Sequence, residues 1–73
     1  MTSGQEKVLK DMYQGGRVRK FAGRWEMNIG TNVYTVRYRT FEILMENGLI
    51  QYERNNPYEV ILTGKGYGVV RNG

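Results

Sequence analysis

The chain has no cysteine and no histidine among its 73 residues. Without thiols there is neither a disulfide nor a thiolate-bound metal to brace the fold. Without imidazole, a Ser-His or Cys-His nucleophile and a standard zinc site are excluded. The seven carboxylates form no Asp-rich calcium loop. No apolar run approaches the ~20 residues that a membrane helix needs. The opening MTSGQEK has no apolar stretch of signal-peptide type. These absences set the expectation of a cytoplasmic protein that is not an enzyme, with no cofactor, no metal, no catalytic residue and no membrane partner. There is one proline, and no long linker, repeat or low-complexity tract, so residues 1–73 read as a single domain. A chain this short buries only about 60% of its unfolded surface. Packing or a partner must supply the rest of its support, and a homodimer is one such solution.

What is present is positive charge, and it is concentrated. The net charge is +4, from 11 Lys/Arg against 7 Asp/Glu. Segment 17–39 holds Arg17, Arg19, Lys20, Arg24, Arg37 and Arg39 against Glu26 alone, a balance of +5, while the remainder sums to −1. A clustered basic patch rich in arginine attracts a polyanion, because neutralising phosphates releases condensed counterions. The competing reading is a solvated surface that keeps a small protein dispersed. The clustering and the preference for arginine favour phosphate or base recognition.

Local patterns divide the chain into elements. Ser3-Gly-Gln-Glu6 fits a capping box and predicts a helix over about 4–14 with Val8, Leu9, Met12 and Tyr13 on one face. Gly15-Gly16 ends it. Trp25, Met27 and Ile29 alternate with Arg24, Glu26 and Asn28, which predicts a half-buried strand. Ala22-Gly23 then makes the turn from an earlier strand at about 17–21. Gly30-Thr31-Asn32 forms a second turn, and Thr35 is the candidate N-cap of a helix over about 36–47. Along that helix Tyr38, Phe41, Leu44, Met45 and Gly48 share one face, with Arg39, Thr40, Ile43 and Asn47 opposite and Arg37 at the flank. Arg37 and Arg39 oppose the dipole preference at a cost of a few tenths of a kcal/mol, a departure that hints at function. Asn47-Gly48 stops the helix. Tyr52 on one side and Tyr58, Val60 and Leu62 on the other alternate around Asn55-Asn56-Pro57, predicting a hairpin at about 50–54 and 58–62. Tyr13, Tyr38 and Tyr58 read as core, and Tyr67 as exposed. Trp25 reads as a core anchor in preference to a base-stacking side chain. The tail Gly64-Lys-Gly-Tyr-Gly lacks phosphate-loop spacing and reads as glycine turn chemistry, too glycine-rich for a helix.

The string ENGLIQYER…YEVILTGKG resembles the recognition-helix end, wing and closing Leu-Thr-x-x-Gly of many winged helix-turn-helix transcription regulators, small bacterial and phage proteins. The resemblance implies an α+β, winged-helix-like fold with two to three helices and a C-terminal two-stranded wing. Where such proteins carry a second helix, this chain reads as a central basic β-hairpin. In those regulators Leu-Thr-x-x-Gly often leads into a further helix, which the glycine-rich tail does not predict here. Double-stranded DNA is the implied partner. Arg37, Arg39 and Thr40 would enter the major groove, Arg17, Arg19, Lys20 and Arg24 would hold the backbone, and Arg54 would reach from the wing. A weaker likeness, in the order of elements and in Gly15, Gly16, Arg17, Leu49 and Ile50, is to small bacterial topoisomerase-inhibiting toxins. It implies a protein-binding inhibitor of a nucleic-acid enzyme, with Ile43 and the hairpin carrying Trp25 as partner contacts.

Overall fold

The computed structural model describes residues 1–73. The order of elements is α1 (Ser3–Tyr13), β1 (Arg17–Phe21), β2 (Arg24–Ile29), β3 (Asn32–Val36), α2 (Tyr38–Glu46), β4 (Ile50–Glu53), β5 (Asn56–Leu62) and α3 (Gly64–Asn72). The five strands form one antiparallel sheet in the order β3-β2-β1-β5-β4. The fold is therefore α+β, three helices with an open five-stranded sheet.

Register explains why one face of the sheet is covered. Val18 pairs with both Met27 and Val60, Trp25 with Val36, and Ile50 with Leu62, so apolar residues meet across every strand junction on a single face. α1 packs on β2 and β5, α2 on β2 and β4, and α3 on α1 and β5. Phe41 and Leu44 from α2, Val8, Leu9 and Met12 from α1, and Leu49 complete the core. The Trp25 ring stacks on Phe41 at a centroid separation of 4.5 Å and 11° between planes. This settles the lone tryptophan as the anchor of the core, so it is not itself an exposed partner contact.

Helix ends show how local chemistry and packing divide the work. The capping box at α1 is formed by Thr2 and Gln5, not by Ser3 and Glu6: Thr2 Oγ1 accepts from the Gln5 amide at 3.2 Å, and Gln5 Oε1 accepts from the Thr2 amide at 3.3 Å. Both registers satisfy the motif. The observed one places Gln5 on the buried stripe with Val8, Leu9 and Met12, so packing selects it. α1 closes with Gly16 N–H donating to Asp11 O at 2.8 Å and Gly15 N–H to Met12 O at 3.1 Å. α2 closes the same way, Leu49 N–H to Leu44 O and Gly48 N–H to Met45 O, both at 3.0 Å. This double bond to the last turn needs a left-handed residue, supplied by Gly15 (φ 100°) and Gly48 (φ 70°).

Several expectations are corrected. Thr35 is not a helix N-cap; it lies in β3, paired with Glu26, and α2 begins at Tyr38 after Arg37. A third strand outweighs the cap because β2 offers β3 five paired positions. Tyr13, Tyr38 and Tyr58 are exposed, not core. Tyr13 lies on the flank of α1 against Tyr67. Tyr38 opens α2, and Tyr58 sits near the open end of β5, beyond the reach of the helix layer. The glycine-rich tail is a helix. Thr63 Oγ1 caps it by accepting from the Gly66 amide at 3.0 Å, the Thr63 amide donates to Leu49 O at 3.1 Å, and Val69 and Val70 pack against the core. Burial of that apolar pair outweighs the entropic cost of the glycines.

Candidate nucleic-acid interface

The basic residues do not form one patch; the sheet sorts them onto two faces. Arg17, Arg19 and Arg24 project from the open face, away from the helices. Arg17 Nη2 lies 3.0 Å from Glu59 Oε2 and Arg19 Nε 3.3 Å from Glu59 Oε1, so one carboxylate is clamped between two guanidinium groups. Arg24 Nε lies 2.9 Å from Glu26 Oε2. Register creates the Glu59 clamp, since Arg19 stands opposite Glu59, whereas Arg24 and Glu26 are i, i+2 neighbours on one face of β2. Three of the cations read as backbone grips, Arg17, Arg19 and Arg24, thus spend much of their charge on carboxylates of the sheet.

Lys20 is different. Strand alternation turns it to the helix-bearing face, opposite Trp25. There it lines a hollow with Gly23, Trp25, Thr35, Arg37 and Tyr38 at the start of α2. Arg37 is the N-cap residue of α2 and offers the helix no side-chain acceptor. Arg54 occupies the two-residue tip of the β4–β5 hairpin, where Glu53 turns its carboxylate onto the Asn55 amide at 2.9 Å. None of Lys20, Arg37 and Arg54 makes an ion pair.

α2 itself presents a mixed surface. Arg37, Arg39, Thr40 and Ile43 line a shallow groove facing the start of α1. Arg39 lies 3.7 Å from Glu42 one turn on, in an exposed pair that contributes little. Phe41 and Leu44 point inward, so the outward stripe runs through Arg39, Glu42, Ile43 and Glu46, with Ile43 half-buried. Positive charge is confined to the helix start.

The same end of the molecule carries an aromatic cluster that composition did not reveal. Tyr52 lies 6.0 Å from Trp25 and 6.4 Å from Phe41, and Tyr38 lies 6.5 Å from Phe41, between ring centroids. Tyr58 is exposed in the stretch of β5 that the irregularity beside Tyr52 and Glu53 leaves unpaired with β4, and its ring meets none of these. One signal for the site was in the sequence. A two-residue turn at Ala22-Gly23 forces Lys20 opposite Trp25 and so off the arginine face. The backbone of that turn has φ 51° and 79°, as a tight hairpin requires.

Elsewhere, Tyr34 donates to Asp11 Oδ2 at 2.6 Å, with Lys7 Nζ 3.4 Å from the same oxygen. Burial, reinforced by that carboxylate, holds the Tyr34 phenol well above its ordinary range and therefore protonated. This contact ties β3 to α1 and is structural. No group of three or more Asp or Glu residues gathers in a way that could hold a metal ion, and no helix is long and apolar enough to cross a membrane. Comparison with known protein families, with characterised proteins and with solved structures gives no significant match to this chain.

Proposed function

We propose that the protein is a small DNA-binding protein, a transcriptional regulator or phage accessory factor, that works by binding and not by catalysis. The start of α2 faces the major groove, led by Arg37, Arg39 and Thr40, while Arg54 on the β4–β5 hairpin contacts the backbone alongside. The observation that carries this reading is the position of three cations, Lys20, Arg37 and Arg54, that have no carboxylate partner and stand at the start of α2 and the hairpin tip. Lys20 and Arg37 border one hollow at the start of α2, and Arg54 sits at the hairpin tip. Chain order supports it. α2, the Gly48 turn and β4–β5, with β1 lying beside β5, follow the order of recognition helix, wing and first strand in winged-helix regulators. Here β2 and β3 occupy the place of the intervening helix. The helix would enter by its end, because Glu42 and Glu46 further along would face phosphates.

A salt series on duplex DNA tests the proposal. Log affinity should fall steeply with log salt. Lys20→Ala and Arg37→Ala should each lower that slope by about one unit. Arg39→Ala should lose about 1–3 kcal/mol on a cognate site and relax base choice there. Glu59→Gln, on the opposite face, should leave the slope unchanged. It should cost about 1–3 kcal/mol in urea unfolding, since Glu59 is buried and loses charged bonds to two arginines that are themselves largely solvated.

One observation favours a second reading, a protein-binding inhibitor of a nucleic-acid enzyme. Arg17, Arg19, Arg24 and Arg39 are already paired with carboxylates, and Ile43 lies between Glu42 and Glu46 on the outward stripe of α2. Absence of duplex binding at low salt, with cellular activity still dependent on Arg37, Arg39 or Ile43, would select it.

A further inference from the structure

We infer that Tyr38 and Tyr52 form a stacking platform for unpaired nucleobases, so that the preferred ligand is a single-stranded or locally opened nucleic acid and not an intact duplex. The inference rests on the nucleic-acid-binding reading above but not on its major-groove docking: Lys20, Arg37 and Arg54 would hold the phosphates of an unpaired strand in place of those of a duplex.

Two tyrosines standing on one aromatic floor in so small a protein are an unusual exposure. Tyr38 is 69% and Tyr52 51% accessible. Folding did not leave them exposed for want of a core, because Trp25 and Phe41 directly beneath are buried. Those two rings, stacked on each other, make a rigid floor. Tyr52 touches both and Tyr38 touches Phe41, so the exposed rings stand on a packed base and lose little freedom on binding. A tyrosine presents an apolar π-face with a polar rim, which is stable in water and ready to stack.

Charge sits where a strand's phosphates would run. Lys20 lies beside Trp25 at one border, Arg37 immediately precedes Tyr38, and Arg54 follows Tyr52 by two residues at the hairpin tip. Cations alternating with exposed aromatic rings along a groove are the pattern for binding single strands, with bases stacked on the rings and the backbone held electrostatically. A base within a duplex has both faces covered by its neighbours and offers such rings nothing. Only a strand end, a bubble or a free single strand exposes a π-face. The open face of the sheet has no such combination: its arginines are paired and its one exposed aromatic is Phe21.

Fluorescence anisotropy with the whole chain tests the inference. The probes are labelled oligothymidylate about 12 nucleotides long, within the usual ~4–16-nucleotide site size, a duplex of equal length, and matched oligouridylate. Oligothymidylate should bind about tenfold or more tighter than the duplex. Oligouridylate binding at similar strength would also support the platform and extend it to RNA. Tyr38→Leu and Tyr52→Leu, which keep apolar bulk but remove the ring, should each weaken single-strand binding about 5- to 100-fold, the range for loss of one stacked base. Tyr38→Phe and Tyr52→Phe should retain binding. Thermal melts of each variant separate lost stacking from lost fold. Duplex binding as tight as single-strand binding, weakened by Lys20→Ala and Arg37→Ala but not by the leucine variants, would overturn the platform and leave DNA binding standing. No binding of any probe at low salt would overturn both.

Discussion

Leu44→Ala is expected to cost about 2–5 kcal/mol, the range for truncating a fully buried leucine. Leu44 has no accessible surface and lies on the inward stripe of α2 with Phe41. A domain of 73 residues has a total stability of about 4–11 kcal/mol, on the usual per-residue scale. The substitution therefore removes a large share of it. α2 is short and lacks a side-chain N-cap, so it has no intrinsic stability to fall back on. Urea unfolding should show a much lower midpoint, and thermal unfolding a drop of about 10 °C or more. A shift of only a degree or two would mean that α2 is not held by this face.

The second large effect is at Gly66. A methyl group there would overlap the carbonyl oxygen of Leu49 and come within 3.0 Å of Leu62 Cδ2. Alanine is the better helix former by about 1 kcal/mol, but the obstacle is backbone and cannot move aside. That carbonyl also accepts from the Thr63 amide, which sets the start of α3. Gly66→Ala should therefore force α3 away from the sheet, at a net cost of about 2 kcal/mol or more. Circular dichroism should show helix loss along with a lower melting temperature. Gly68→Ala is the control. Nothing lies within 4 Å of a methyl group there, so it should stabilise by about 0.5–1 kcal/mol. The same substitution, two residues apart, is expected to have opposite signs.

These two glycines also show why the tail misled a reading by composition. Propensity counts glycines against a helix, and three of the nine residues of α3 are glycine, with a fourth, Gly73, at its C-cap. What decides is that Gly66 allows a close approach no other residue could make, and that Val69 and Val70 then find core to bury against. The closing Leu-Thr-x-x-Gly acquires a physical meaning here. Leu62 fills the core, Thr63 caps the helix, and Gly66 clears the Leu49 carbonyl.

Residue order alone determined the elements whose signals are local. The β1–β2 hairpin follows from alternation about Ala22-Gly23 and the end of α2 from Asn47-Gly48; the β4–β5 hairpin follows from alternation too, but its tip is Arg54-Asn55, and the expected turn residues Asn56 and Pro57 already lie in β5. The burial of Trp25, Phe41 and Leu44 follows from periodicity. Each of these depends on neighbours within a few positions, where backbone sterics and apolar spacing act directly. Only the tertiary structure decided which cations are free. Arg17 and Arg19 meet Glu59 across 42 and 40 residues of chain, and no local pattern encodes that pairing. It likewise decided that Tyr38, Tyr52 and Tyr58 stay in water while Tyr34 is half-buried against Asp11. A tyrosine satisfies the apolar period of its own element in either setting, and whether a second layer covers it depends on how far α2 extends across the sheet.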